Sequence, residues 1–225
     1  MKLKWYGHAS FRITAADGLS IVTDPYTPKT AGYAAVTEAA DMVFVSSDND
    51  SFHCRADLIP GSPTVINALE VARNDGSHEA HGLTIQAIQA MEMENHPYHD
   101  PDHNGMYRFE VDGIRIGHMG DVGNRLTDAQ MDFFKDLDVL LALTGGAPTI
   151  ALDDLKALID TAQPKLIVPM HFRTLSWKPR DCFWIQTFLD YFDVSQVDFP
   201  CAYEVELSKA DIPDSTRVMV LDYVR

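Results

Sequence analysis

Imidazoles and carboxylates recur along this 225-residue chain in groups that could share one task. The segment His96-Pro97-Tyr98-His99-Asp100-Pro101-Asp102-His103 packs three histidines and two aspartates into eight residues. Asp121 stands in Gly120-Asp121-Val122-Gly123, and His171 in Pro169-Met170-His171-Phe172. Near the start, Trp5-Tyr6-Gly7-His8 and Thr23-Asp24-Pro25 add a further imidazole and carboxylate, and His53-Cys54 lies beyond the run Ser46-Ser47-Asp48-Asn49-Asp50-Ser51-Phe52. Imidazole and carboxylate are the groups that hold zinc at about 2.0–2.2 Å, and a zinc ion lowers the pKa of bound water toward 7. Metal-assisted hydrolysis is the chemistry such a set supports.

Each group also has a plain structural reading. A proline-rich stretch bearing histidines reads as an exposed polar loop. Asp121, short and close to two glycines, suits the capping of loop amides, and His171 suits a polar pocket; both readings stand beside the metal one. His53 reads as a surface or capping residue rather than a displaced ligand. As a base for Cys54 it is poorly placed, because neighbours in an extended segment face opposite sides. A nucleophilic triad of Ser47 or Ser51 with His171 and Asp121 lacks the Gly-x-Ser-x-Gly turn that exposes such a serine.

The elements that must carry these groups follow from periodicity and turn residues. Leu3–Tyr6, Ser10–Thr14 and Leu19–Thr23 form a β-meander, its second turn built on Ala16-Asp17-Gly18 because glycine accepts the positive φ required there. Further strands are predicted at Met42–Val45, Thr64–Asn67, Leu83–Ala90, Tyr107–Val111, Ile114–His118, Val139–Leu143 and Leu166–Pro169, with Asp112-Gly113 as another tight hairpin. Helices are predicted after Thr127, which caps Asp128–Phe134, over Leu152–Ala162 before Pro164, and over Cys182–Phe192. Short strands are predicted near Ala202–Leu207 and Arg217–Tyr223. Strands first, then strands alternating with helices, suit a four-layer αββα sandwich in a single domain spanning residues 1–225.

Composition narrows the function. With 46% hydrophobic residues the chain can bury a sizeable core. Its 33 acidic against 18 basic residues give a formal charge of −15, which disfavours nucleic acid because phosphate contacts need clustered Lys and Arg. Three cysteines without a Cys-x-x-Cys spacing indicate neither a disulfide framework nor a thiolate zinc site, and they suit a reducing cytoplasm. No apolar stretch approaches 18 residues, so neither a membrane span nor a leader is expected.

The blocks Trp5-Tyr6-Gly7-His8 with Thr23-Asp24-Pro25, the loop after Asp41–Val45, Met119–Gly123 and Val168–His171 together resemble the metallo-β-lactamase superfamily. Within it they resemble most the branch of small metal-dependent hydrolases that includes the ascorbate-phosphate lactonase-like proteins. The resemblance extends over Met1 to about Phe192 and implies two sheets whose edge loops hold one or two metal ions. It also implies a loop of the form His-x-His-x-Asp-His, aligned here as Ser47-Asp48-Asn49-Asp50-Ser51-Phe52. Ser47, Asn49, Ser51 and Phe52 therefore replace all four loop ligands. Asp121 and His171 keep the bridging-Asp and terminal-His positions, His8 belongs to the site rim, and Asp24 to the supporting shell. The ligand on the later strand aligns with Glu92, or with His96 if that strand runs longer; the register among Glu92, Glu94 and His96 stays open, as do the roles of His99 and His103.

The resulting expectation is a hydrolase-like protein with a decayed dinuclear site, weakly active or inactive, keeping at most one zinc or other divalent ion on Asp121 and His171 with Glu92 or His96. If active, it directs water at a lactone, amide or phosphoester of a small molecule. The alternative is a non-catalytic module that keeps the cleft for a ligand or the fold for a partner. Because hydroxyl and amide groups bind zinc poorly, elemental analysis with excess zinc is expected to find no dinuclear centre.

Overall fold

Tight turns organise the start of the chain, and both predicted hairpins form, with Gly18 at φ +99° and Asp112-Gly113 at +52° and +75°. The computed structural model describes residues 1–48, 51–93 and 102–225, with the backbone alone for Asp102; Asn49, Glu94, His96 and His99 lie outside the described residues. The elements are β1 (Lys2–Gly7), β2 (Ser10–Thr14), β3 (Ser20–Thr23), α1 (Pro28–Ala31), β4 (Met42–Val45), β5 (Thr64–Asn67), α2 (Ala68–Arg73), β6 (Ser77–Ala80), β7 (Leu83–Met93), β8 (Asp102–Val111) and β9 (Ile114–His118). They continue with α3 (Asp128–Phe133), β10 (Val139–Leu143), α4 (Leu152–Ala162), β11 (Leu166–Met170), α5 (Ile185–Leu189), β12 (Val197–Asp198), β13 (Glu204–Glu206) and β14 (Arg217–Met219).

The strands form two sheets. One has the order β13-β1-β2-β3-β4-β5 and the other β12-β14-β11-β10-β9-β8-β7-β6. Each mixes an antiparallel half with a parallel one: β3, β4 and β5 run parallel, as do β9, β10, β11, β14 and β12. Period-two alternation decides what each strand buries. In β4, Met42 and Phe44 enter the core between the sheets, whereas Val43 and Val45 enter a second cluster with Val22, Tyr26, Tyr33 and Trp177. Phe44 meets Phe109 and Tyr107 of the opposite sheet edge-to-face, at 5.1 and 5.8 Å between ring centroids. Removing so buried a ring costs about 3–5 kcal/mol.

Helices are few and short. In α4, Leu152, Leu155, Leu158, Ile159 and Ala162 recur at three- and four-residue spacing and form its buried stripe, with Asp153 and Asp154 favourably placed in its first turn. Thr127 caps α3 as predicted, in a reciprocal pair with Gln130.

Several boundaries differ from the sequence reading. Of the segment read as a His-bearing loop, the described residues Asp102 and His103 begin β8, Asp102 opposite Met93 and His103 opposite Met91. His103 sits within reach of Arg73, Nδ1 to Nη2 3.1 Å. Helix α2 was missed because Asn67, read as a strand end, also accepts from the Leu69 and Glu70 amides and starts a helix of barely two turns. The helix predicted from Cys182 begins only at Ile185: Phe183 is drawn into extended pairing, its N–H on Gly145 O (2.7 Å) and its carbonyl on the Arg173 N–H (2.8 Å). The two C-terminal strands shrink to three residues each.

Asp138, buried at the start of β10, anchors the C-terminal segment. Its carboxylate accepts from the Arg115 N–H at 2.9 Å and from Lys209 Nζ at 2.5 Å. Burial works to raise its pKa, but these bonds and the Arg115 charge outweigh it and hold it at about 2 against an ordinary 3.8. A folded-state pKa below the unfolded value stabilises above pH 4 and loses that contribution as pH falls toward 2. Asp138→Asn is expected to lower stability at pH 7 by about 1–2 kcal/mol, discounted for the solvated lysine, with the gap to wild type closing toward pH 2 in urea titrations.

Candidate metal centre

Six strand ends deliver the polar residues to one place. His8 follows β1, Asp24 follows β3, Ser46, Ser47 and His53 lie after β4, Asp121 lies three residues past β9, and His171 follows β11. The first three ends belong to one sheet and the last two to the other, while Glu92 arrives near the end of β7. Three of these residues turn the chain through left-handed backbone: His8 at φ +53°, Asp24 at +35° and His171 at +53°. For side chains other than glycine each such turn costs on the order of 1–2 kcal/mol, which surrounding bonds must offset. The His171 N–H donates to His8 O (3.1 Å), Trp5 Nε1–H donates to the same carbonyl (3.0 Å), and the Asp24 N–H donates to Phe44 O (2.8 Å).

The imidazoles of His8, His53 and His171 are all buried, and one ring nitrogen from each lies within 4.8 Å of the others. The ring centroid of His8 stands 4.0 Å from that of His171 and 4.6 Å from that of His53. Asp24 is fully buried and orients His53. Its carboxylate accepts from the Ser46 N–H (2.9 Å) and Ser46 hydroxyl (2.5 Å), and its Oδ2 lies 2.9 Å from His53 Nδ1. With Nδ1 turned to Asp24, His53 faces Asp121 Oδ2 with its Nε2 at 3.1 Å. His171 Nε2 faces the other oxygen, Oδ1, at 3.3 Å, while its Nδ1 lies 3.5 Å from Cys182 Sγ. Among the described residues His8 Nδ1 has no hydrogen-bond partner.

Burial and mutual contact set the electrostatics of the cluster. Burial foremost, and then the neighbouring imidazoles, push the pKa of His8 well below its ordinary value. Burial also lowers that of His171 against the pull of Asp121. Burial alone would raise Asp121, but His53 and His171, with hydrogen bonds from His53 and Glu92, hold its carboxyl below the usual carboxylate range. An unprotonated imidazole nitrogen opposite a carboxylate oxygen would place acceptor against acceptor, so each facing pair needs a proton or a metal ion between its atoms. Asp121 is itself fixed: its N–H donates to buried Asn104 Oδ1 at 2.9 Å. Gly120 makes that approach feasible, since at φ +61° a Cβ there would lie 2.2 Å from the same oxygen.

The site residues named from sequence are distributed as follows. Asp121 and His171 are brought together, Glu92 hydrogen-bonds Asp121, and His8 joins the imidazole cluster instead of merely rimming it. Asp24 supports, and Ser47 is buried in the loop after β4. Phe52 is half-buried, with its ring 5.6 Å from that of His8 and 5.4 Å from Trp177. Ser51 is exposed, its carbonyl accepting from the Thr27 N–H at 2.7 Å, so its place is the surface and not the buried cluster. Asn49 and His96 lie outside the described residues.

The surface reading of His53 is corrected: its ring is completely buried between two carboxylates. Its signal was spacing, since one added residue in the loop moves His53 into the place that direct alignment assigns to Phe52. Trp177, stacked on His8 at 4.4 Å, and Cys182 were also missed, and their sequence neighbourhood carries no pattern that marks them. No described helix is long and apolar enough to cross a membrane.

Comparison with known proteins gives a consistent result. Residues 2–171 match the β-lactamase superfamily domain model. A UPF0173 protein of Pyrococcus abyssi is 25% identical over 183 residues, covering 77% of this chain and 84% of its own length. A UPF0173 metal-dependent hydrolase of Thermococcus onnurineus is 23% identical, covering 80% and 87%. Among solved structures, a Thermotoga maritima protein, described as a candidate zinc-dependent hydrolase of the metallo-β-lactamase superfamily, superposes with a TM-score of 0.77 at 29% identity and 99% coverage of both chains. A metallo hydrolase of Ignicoccus hospitalis shares the fold at TM-score 0.62 and 21% identity, covering 97% and 94%.

Removing the imidazole between Asp24 and Asp121 leaves two buried carboxylates facing each other. His53→Ala is expected to lower metal-free stability by about 3 kcal/mol in urea unfolding at pH 7, a loss typical of breaking a buried pair from one side.

Proposed function

The chain belongs to the metallo-β-lactamase superfamily, and on that premise we propose that it is a metal-dependent hydrolase working with one divalent ion, zinc foremost, rather than with a dinuclear centre. His8, His53, His171 and Asp121 would hold the ion. The observation that carries this reading is three buried imidazoles with a ring nitrogen of each within 4.8 Å of the others, two of them facing the oxygens of Asp121 at 3.1 and 3.3 Å. When bound, such an ion supplies Lewis acidity and a lowered water pKa. A set of three imidazoles and a carboxylate matches the usual zinc donor types and count.

The protein's own groups have separable tasks. Asp24 keeps the His53 proton on Nδ1 and so leaves Nε2 available. Asn104 holds the Asp121 backbone. Glu92, hydrogen-bonded to Asp121 beside the cluster, is the carboxyl group that would serve as general acid toward a leaving atom. Phe52 and Trp177 give the cluster an apolar wall that limits water around it. The substrate class is a small lactone, amide or phosphoester; the charge of −15 argues against nucleic acid, and three free thiols suit the cytoplasm.

The loss of the family's loop ligands at Ser47, Ser51 and Phe52 favours a second reading, a binding module without turnover. Elemental analysis of protein purified without added zinc, followed by a chelator-sensitive screen across the three ester and amide classes, separates the two. One ion per chain and chelator-sensitive hydrolysis are expected, with His171→Ala and Asp121→Asn losing both. Metal-free protein that takes up no zinc would leave the binding module; two tightly held ions would overturn the mononuclear reading.

A further inference from the structure

Behind His171 runs a hydrogen-bonded chain that the metal reading does not use. His171 Nδ1 lies 3.5 Å from Cys182 Sγ, Cys182 Sγ lies 3.4 Å from Asp181 Oδ1, and Trp177 Nε1–H donates to that same oxygen at 2.9 Å. The far end returns to the cluster, for the Trp177 ring stacks on His8 at 4.4 Å. Cys182 is buried while Asp181 is exposed, so the thiol links a solvated carboxylate to a buried imidazole. The approach is built into the backbone: a Cβ on Gly145 would lie 2.1 Å from His171 O and 2.9 Å from Cys182 Cβ. The extended pairing of Phe183 with Gly145 and Arg173 then fixes where Cys182 stands.

Donor and acceptor roles in this chain have one consistent direction. The Asp181 carboxylate only accepts, so it receives the Trp177 N–H and the Cys182 S–H. A thiol that donates its only hydrogen to Asp181 offers sulfur as acceptor, and His171 must then carry its proton on Nδ1. We propose that Cys182, polarised by Asp181, is a positioning residue that locks His171 in the Nδ1–H tautomer and so turns the Nε2 lone pair toward Asp121 and the ion. Carboxylates and backbone carbonyls usually do this for a ligating histidine; here a thiol does so. The proposal rests on the metal reading for its purpose but not for its test.

The test is the tautomer of His171 in metal-free protein labelled with 15N-histidine, read from long-range proton–nitrogen correlations and assigned by the signal absent in His171→Ala. The expected result is a hydrogen on Nδ1 in wild type, where a second on Nε2 bridges to Asp121 while no ion is bound, its retention in Cys182→Ser, and its loss from Nδ1 in Cys182→Ala. Zinc titration of the same proteins is expected to show affinity within about threefold for Cys182→Ser and a loss of about 10–100-fold for Cys182→Ala. A wild type with no hydrogen on Nδ1, or a Cys182→Ala protein with unchanged Nδ1 protonation and affinity, overturns the proposal. Zinc bound by wild type in that second case leaves the metal reading standing without it. An Nδ1–H wild type that responds to Cys182→Ala yet takes up no zinc upholds the positioning role and removes the metal reading. Should Cys182→Ala fail to fold, Cys182→Ser with Asp181→Ala supplies the same comparison, the latter removing only the acceptor of the S–H.

Discussion

Two imidazole nitrogens opposite the two oxygens of Asp121, at 3.1 and 3.3 Å, create a demand that the surrounding structure is arranged to sustain. Lone pairs do not converge in a buried space unless something holds them there. Asp24 fixes the tautomer of His53 from behind, the Cys182 thiol contacts His171 from behind, and Asn104 pins the Asp121 backbone. Each of these supports comes from a different segment, so the site exists only once both sheets have packed. Burial then removes the water that would otherwise relax the arrangement, and pushes the pKa values of His8 and His171 down.

Backbone strain is placed accordingly. His8, Asp24 and His171 each occupy left-handed conformations directly after a strand end, where the chain must turn its side chain inward across the sheet edge. The stabilisation that offsets this comes from the continuous apolar core: Leu3, Trp5, Phe11 and Phe44 from one sheet against Ile85, Tyr107, Phe109 and Leu141 from the other. Strained residues held by a rigid scaffold are a hallmark of sites selected for chemistry over stability.

The loop after β4 supports the cluster with several of its side chains. Ser46 holds Asp24, Phe52 with Trp177 walls the cluster, and His53 brings an imidazole into it.

Much of the fold was legible in the chain because its determinants are local. Short apolar or alternating runs bounded by turn residues marked β2, β4, β5, β9 and β10 at their observed limits, Gly18 and Asp112-Gly113 marked the hairpins, and Thr127 marked a helix start. The four blocks bearing His8, Asp24, Asp121 and His171 were sufficient to point to the superfamily. The sequence could not decide which imidazoles meet, because that depends on six strand ends from two sheets and on the path of the loop between them. His53 looked like a surface residue for that reason, and its complete burial between Asp24 and Asp121 is a property of the assembled sandwich alone. Cys182 is the extreme case: it lies eleven residues from His171, and only the backbone pairing of Phe183 with Gly145 and Arg173 turns a predicted helical residue into a neighbour of the site.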